Sequence, residues 1–440
     1  MDMKIPAGAS QIIRGLKGEG FQAYLVGGCL RDLLLGTEPA EWDITTSARP
    51  EEVTKLFQKV VPTGIEYGTV TVLLPDGQFE VTTFRADEKY VDGRHPSNVI
   101  FTTDIHQDLA RRDFTINAMA MDPEDEKLID DFNGQADLNA KIIRTVGDPV
   151  ARFSEDGLRP LRGCRFAAKL EFQIEAVTLA AINKTLGIVK KVAPERIHDE
   201  LVKMLSAKKP SIGLEYMRRS GLLGLILPEL AACVGVEQPP QFHKYDVYWH
   251  SLYACDAAPS DNYRVRLAIL LHDIGKPACK VAMTFYNHDR VGLEMAAALL
   301  KRLKFSNEDI KIITNLIANH MFEYTSEWSD AAVRRFIRRI GGVENAADLF
   351  TLRRADAAAM EQVAGIDYLQ ELGDRIQKVI DEENALHVGD LAVKGEDVMK
   401  SLNIPPGPKV GEVLNALLEK VLDDPSLNQR EKLLELIRQL

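Results

Sequence analysis

The chain lacks the features that mark secreted, membrane-embedded or zinc-held proteins. Its 440 residues include only five cysteines (Cys29, Cys164, Cys233, Cys255 and Cys279), odd in number, scattered and without a Cys-x-x-Cys pair. That pattern argues against a disulfide framework or a zinc finger and for a reducing, cytoplasmic setting. No run of 18 apolar residues occurs, so no membrane-spanning helix is expected and no membrane partner. The opening Met-Asp-Met-Lys-Ile-Pro carries no apolar core of a signal peptide. There is no internal repeat and no low-complexity tract. An excess of positive charge is missing too. The net charge is −11, so contact with nucleic acid has to come from local basic patches, and its affinity falls as salt rises.

What is present is a soluble-type composition, 45% hydrophobic and 27% charged, long enough for about two to four domains with their own cores. The most informative stretch is 24–46. Tyr24-Leu25-Val26 reads as a strand, Gly27-Gly28 as a turn, and Cys29 to Leu34 as a short helix. Two adjacent glycines let the backbone approach a ligand without Cβ interference. Free N–H groups at a helix start, with Arg31 one turn in, make an anion site. Glu41 and Asp43 follow on a second predicted strand. Spaced two apart, their carboxylates leave one face about 7 Å apart. Hard oxygen ligands beside a phosphate cradle point to Mg²⁺ and phosphoryl transfer.

Downstream, Thr69–Leu74 and Phe79–Arg85 flank a Pro75-Asp76-Gly77 turn and predict a hairpin, with Glu80 as a third acidic group. The polar segment Asp87–Pro96 reads as a loop. Arg111, Arg112, Asp113 and Asn117 lie within seven residues. The arginine forks suit phosphate and the aspartate accepts from hydroxyls. Farther on, Asp156 and Arg159 are spaced i, i+3 on a predicted helix, so the pattern sets them side by side. A carboxylate next to a guanidinium complements the amino donor and ring-nitrogen acceptor that cytosine and adenine share. Uracil and guanine present the reverse order. In a dry pocket, a wrong base that leaves polar groups unpaired is rejected by up to about 10⁴–10⁵. Glu155 is expected to hold Arg159, and Glu195 with Arg196 to brace it from a helix opened by Pro194.

From about residue 205 the pattern is helical. Val236–Gln241 reads as a Pro-rich linker. His250, the His272-Asp273 pair, His288, His320 and Asp356 then recur on successive predicted helices; imidazoles and carboxylates together suit a transition metal. Arg334, Arg335, Arg338 and Arg339 form a basic run, read equally as an RNA contact or a solvated face.

Several of these stretches resemble one family. Gly-Gly-x-x-Arg-Asp followed by acid-x-Asp, then Arg-Arg-Asp-Phe-Thr-x-Asn-Ala at 111–118, then Glu-Asp-x-x-Arg at 155–159, are similar to class II tRNA nucleotidyltransferases of the polymerase β superfamily. The usual acidic pair there is Asp-x-Asp; Glu41 departs from it by one methylene. The resemblance implies an α+β fold: a polymerase-β-like head with a small mixed sheet (1–148), then an all-α neck that selects nucleotides (149–235), an HD-type body (236–375) and a helical tail that contacts tRNA (376–440). It implies 3′-end extension of tRNA by C, C and A from CTP and ATP without a nucleic-acid template, with release of pyrophosphate and two Mg²⁺ on Glu41 and Asp43. Gly27, Gly28, Arg31, Arg112, Asp113, Asn117, Asp156, Arg159, Arg162 and Arg165 would bind the nucleotide. The late histidines and aspartates resemble the HD superfamily of metal-dependent phosphohydrolases, so a divalent transition metal is implied at His250, His272, Asp273, His288, His320 and Asp356. The alternatives are an enzyme that adds only A, a poly(A) polymerase, an HD phosphohydrolase whose head senses nucleotides, and a non-catalytic RNA-binding protein. The intact acidic and Asp/Arg pairs speak against the last. Nothing in the sequence sets the oligomeric state.

Overall fold

A computed structural model of the chain describes residues 4–86, 100–241, 243–360, 367–382 and 385–439. The chain divides into two compact units, Met1–Pro228 and Glu229–Leu440.

The first unit is built on a seven-stranded mixed sheet. Its strands are β1 (Ala23–Val26), β2 (Trp42–Thr46), β3 (Val60–Gly64), β4 (Thr69–Leu74), β5 (Gly77–Thr83), β8 (Ala120–Met121) and β9 (Leu128–Ile129), in the order β3-β4-β5-β2-β1-β8-β9. A separate small pair, β6 (Arg85–Ala86) and β7 (Ile100–Phe101), follows β5 in the chain. The predicted hairpin is β4–β5. Val70 and Val72 on one strand and Phe79 and Val81 on the other are buried, as expected for a sheet with one covered face. Within this sheet only the β2–β5 pairing is parallel; it sets Asp43 opposite Glu80. Helix α1 (Ala7–Gly18) covers part of the sheet with Ala9, Ile12, Ile13 and Leu16, the i, i+3, i+4, i+7 stripe of an amphipathic helix. Helix α2 (Gly27–Leu34) starts directly from β1.

Beyond α3 (Pro50–Leu56), α4 (Ile105–Ala110) and α5 (Gly134–Ala140) the unit continues as helices α6 (Pro149–Glu155), α7 (Arg159–Leu170), α8 (Ala176–Lys184), α9 (Leu186–Val189) and α10 (Pro194–Leu205). Asp148 caps α6 through Ala151 N–H, with Pro149 in the first turn. The 150–166 stretch is not one helix. It breaks at Asp156, whose backbone is extended. Pro160 lies in the first turn of α7, where proline's missing N–H costs no hydrogen bond.

The second unit is helical among its described residues. Asp246, Asn262, Ser306 and Ser329 cap the helices Val247–Ala257, Tyr263–Leu271, Asn307–Asn319 and Asp330–Arg339 by accepting from backbone N–H groups. Its C-terminal part closes on Val398, Leu417, Leu418, Val421, Leu422, Leu433 and Ile437. Two expectations change here. Gln238, read as part of a linker, is buried, accepts from Lys276 Nζ at 2.6 Å and donates to the Tyr245 carbonyl at 3.3 Å. The basic run at 334–339 grips the helix Pro408–Asp423: Arg334 is buried and donates to the Leu422 carbonyl, while Arg335 and Arg338 pair with Glu419, and Arg335 also with Asp423. Arg334, Arg335 and Arg338 are thus engaged by that helix, while Arg339 lies exposed over the Phe336 ring.

Candidate functional site

The first unit holds a cavity of about 820 Å³, bounded by the β1–α2 turn, β2, β5, the 111–117 segment, α7 and α10. Every nucleotide- and metal-binding residue inferred from the head and neck motifs lines it: Gly27, Gly28 and Arg31; Glu41 and Asp43; Arg112, Asp113 and Asn117; Asp156, Arg159, Arg162 and Arg165. Glu80 joins them. The predicted loop Asp87–Pro96 lies outside the described residues.

Gly27 is where backbone conformation matters. Its φ is +73°, and a Cβ there would lie 3.1 Å from Arg112 Nη1 and 3.4 Å from Asp43 Oδ2. The turn thus passes tightly between the acidic strand and an arginine, and its positive φ disfavours any residue but glycine. Glu41 sits just ahead of β2 and Asp43 within it. Burial, the neighbouring Glu80 and, more weakly, Glu41 push the Asp43 carboxyl up to about 6 against the pull of Arg112 and Arg31. Three carboxylates crowded this way carry unrelieved negative charge, and hard oxygen donors of this kind fit a divalent cation.

The arginines are organised differently from the sequence expectation. Arg31 is buried; it donates to Asp32 Oδ1 at 2.6 and 2.8 Å and to Asn117 Oδ1 at 2.7 Å. Asn117 Nδ2 reaches Asp113 Oδ1 at 3.2 Å, and Arg162 holds Asp113 Oδ2 at 2.7 and 2.8 Å. Glu200 joins Arg162 to Arg165. Phe166 lies beneath Arg31, Arg162 and Arg165, 4.2–5.3 Å from each guanidinium carbon. This network ties α2, the 115–117 turn, α7 and α10 together under the cavity. Burial alone would raise the Asp113 carboxyl, but Arg162 and Arg159 take it down to about 2.

Asp156 and Arg159 face the same cavity without pairing with each other. Asp156 accepts from Leu158 N–H at 2.9 Å and from Arg196 Nη2 at 2.8 Å. Arg159 pairs with Glu155, as expected, and donates to the carbonyls of Arg152 and Arg111 at 2.9 and 3.0 Å. Arg196 therefore braces Asp156, not Arg159. Sequence reasoning passed over Asp108, which is fully buried and holds Arg111 and Arg112 at 2.8 and 3.0 Å. Its signal was legible: it precedes those arginines by three and four residues, the helical pairing distances. Glu200 and Phe166 carried no such local signal.

In the second unit the histidines and aspartates expected to bind a metal converge. His250, His272 and Asp273 bring donor atoms within 4.8 Å of one another, and so do Asp273, His288 and His320. All are buried. The Nδ1–H groups of His272, His288 and His320 donate to the carbonyls of Ile269, Phe285 and Ile317 at 2.6–2.8 Å. That leaves their Nε2 lone pairs pointing inward. His288 and His320 Nε2 then face each other at 3.3 Å, with Asp273 Oδ1 3.4 Å from His288. Two acceptors and a carboxylate oxygen aimed at one point suit a cation. Asp356 meets His250 Nε2 at 2.9 Å and Arg353 Nη1 at 3.0 Å. Burial pushes His320 down to about 4, so it stands neutral, as a ligand must.

Comparison with known proteins decides the family. The models described as "Poly A polymerase head domain", "Probable RNA and SrmB-binding site of polymerase A" and "tRNA nucleotidyltransferase domain 2" match residues 23–144, 171–234 and 283–437. The chain is 33% identical over 427 residues to the CCA-adding enzyme of Enterococcus faecalis, covering 97% of this chain and 94% of that one. The chain belongs to the class II CCA-adding enzymes. To the Streptococcus mutans CCA-adding enzyme it is 33% identical over 434 residues, covering 98% of this chain and 96% of that one. The crystal structure of Bacillus stearothermophilus CCA-adding enzyme in complex with CTP superposes with a TM-score of 0.75 at 29% identity, covering 98% of this chain and 96% of that one. Membership makes this chain a nucleotidyltransferase and implies dependence on a divalent cation. No helix among the described residues is long and apolar enough to cross a membrane.

Proposed function

We propose that this chain adds C, C and A to the 3′ end of tRNA from CTP and ATP without a nucleic-acid template. One observation carries the reading: the carboxylates of Glu41, Asp43 and Glu80 line the same cavity as Asp156 and Arg159. Transfer chemistry and base choice would thus share one space, inside a family one of whose solved members was captured with CTP. Glu41 and Asp43 would hold Mg²⁺. Bound there, it would supply Lewis-acid stabilisation of charge at the α-phosphate. The chain's own groups do the remainder. The Gly27–Gly28 turn and Arg112 orient the triphosphate so that the tRNA 3′-hydroxyl meets the α-phosphate in line with the departing pyrophosphate. Arg31 acts from below, fixing Asn117 and through it Asp113 and Arg162. Asp156 and Arg159, each locked by other residues, present an acceptor and a donor to the base edge. Incubation with tRNAs lacking CCA, CA or A, each with CTP, ATP or both, tests the reading. Stepwise completion of all three substrates is expected. Growth of only the substrate lacking A would reduce the activity to A addition, and runs of A beyond the natural end would make it a poly(A) polymerase.

The convergence of Nε2 lone pairs on Asp273 favours a second activity, metal-dependent phosphoester hydrolysis in the second unit. His250, His272, Asp273 and Asp356 would hold one divalent transition metal and Asp273, His288 and His320 another, providing a Lewis acid toward a phosphoryl oxygen. Titration of the full chain with Mn²⁺ or Ni²⁺ should show binding that Asp273→Asn removes.

A further inference from the structure

The cavity of the first unit contains cations that its own acids do not use. Each arginine lining it already has a carboxylate partner, drawn from Asp32, Asp108, Asp113, Glu155, Glu200 and Asp156. The two lining lysines differ. Lys169 has only Asp32 at 3.5 Å, a carboxylate that Arg31 already holds at 2.6 Å. The Lys203 side chain makes no hydrogen bond or ion pair among the described residues, although it lines the same cavity.

Their position follows from how α7 and α10 are laddered. Asp156, just ahead of α7, meets Arg196 in the first turn of α10; Arg165, midway along α7, meets Glu200. Progress along one helix matches progress along the other. The far end of the ladder carries Lys169 and Lys203, each in the last turn of its helix and both lining the cavity, two positive charges where the earlier rungs pair opposite ones. Lys203 lies seven residues past Arg196, two turns and about 10 Å along the same helix face. The side chain of Lys169 is 47% exposed and Lys203 is exposed, so this end stands at the solvent edge of the cavity. Acceptor and donor groups for the base sit at the other end of the ladder, and the Gly27–Gly28 turn already serves the triphosphate. A mononucleotide has no need of the rim, whereas a polymer running out of the cavity must cross it.

We infer that Lys203, with Lys169 at the same end of the ladder, receives a backbone phosphate of the tRNA acceptor strand. This rests on the tRNA-extending reading above. The test is steady-state extension by the full chain carrying Lys203→Ala or Lys203→Arg, with tRNA, CTP and ATP varied separately at several salt concentrations. Lys203→Ala should raise the KM for tRNA roughly 3- to 10-fold and make the salt dependence of tRNA binding shallower by about 0.7–1 in log–log slope. KM values for CTP and ATP should not move, and Lys203→Arg should restore the tRNA KM. A rise in nucleotide KM with no change for tRNA would overturn the inference by placing the triphosphate there. A lower melting temperature with tRNA KM and slope unchanged would also overturn it, because Lys203 would then only complement the negative end of α10. If the unaltered chain extends no tRNA, the functional reading falls and this inference with it. If it extends tRNA and Lys203→Ala matches it in KM and slope, the Lys203 assignment alone falls.

Discussion

Asp156 is held by a residue forty positions away, Arg196, at 2.8 Å. A carboxylate chooses between bases only if its orientation is fixed before the base arrives, and here the fixing group comes from another helix. Arg196→Met should therefore loosen selectivity without removing the selector. One matched donor–acceptor pair is worth about 1–3 kcal/mol, so discrimination of CTP and ATP against UTP and GTP should fall about 10-fold or more in kcat/KM ratio. An unchanged ratio would show that Asp156 needs no brace. Asp108 makes a different case. Burial would raise its carboxyl, but Arg112 and Arg111 take it down to about 2 from an ordinary value near 3.8. Being depressed in the folded state, it contributes stability present above its unfolded pKa and lost as pH falls through about 2. The difference in unfolding free energy between the unaltered chain and Asp108→Asn should stand at about 2 kcal/mol above pH about 4 and shrink toward pH 2. Denaturant unfolding across that pH range measures it; a difference independent of pH would rule out the depressed carboxylate as its source.

Elements carry what single residues cannot. The β1–α2 turn works only because Gly27 adopts φ +73° with Arg112 and Asp43 within 3.4 Å of where a Cβ would go. Gly27→Ala should strain the backbone by about 1–2 kcal/mol and displace Arg112 or Asp43. Nucleotide incorporation should drop at least 10-fold while melting temperature shifts by only a few degrees; full activity would deny the turn its role. In the second unit, Gly275 crosses the start of the helix His288–Arg302 so closely that a Cβ would lie 2.2 Å from the His288 carbonyl oxygen and 2.6 Å from Gly292 N. Gly275→Ala should push His288 off Asp273 and weaken metal binding in the full chain at least 10-fold by calorimetric titration. Unchanged binding would mean the crossing does not set the site. These elements also show what was legible beforehand. The β4–β5 hairpin, the strand–turn–helix around Gly27 and the opening of α10 at Pro194 are local patterns of alternation, glycine and proline, and the sequence carries them openly. The break at Asp156, the burial of Gln238 and the docking of Arg334 on the helix Pro408–Asp423 depend on partners 38 to 88 residues away. No local period encodes such partners. Candidate residues could be named because their types are chemically distinctive; who holds whom came only with the fold.

At the scale of the whole molecule, the two sets of candidate metal ligands belong to different units. Glu41, Asp43 and the cavity-lining pair Asp156 and Arg159 lie within Met1–Pro228, while His250, His272, Asp273, His288, His320 and Asp356 lie within Glu229–Leu440. Among the described residues each set is wired within its own unit: the network beneath the cavity runs from Asp32 to Glu200, and the histidine cluster is tied to the carbonyls of Ile269, Phe285 and Ile317. On the proposed reading, neither centre would need ligands from the other. Asp273→Asn removes the carboxylate shared by both histidine triads and should abolish transition-metal binding, yet leave CTP and ATP incorporation into tRNA within about twofold. Asp43→Ala should do the converse, lowering incorporation of both nucleotides by about 10³-fold or more, the scale expected when a preorganised charge at the reacting phosphate is lost, with Mn²⁺ or Ni²⁺ titration of the histidine cluster unaltered. Paired measurement of metal binding and primer extension on both variants decides it. Loss of extension in Asp273→Asn, with the melting temperature of the first unit unchanged, would show that the two centres act as one.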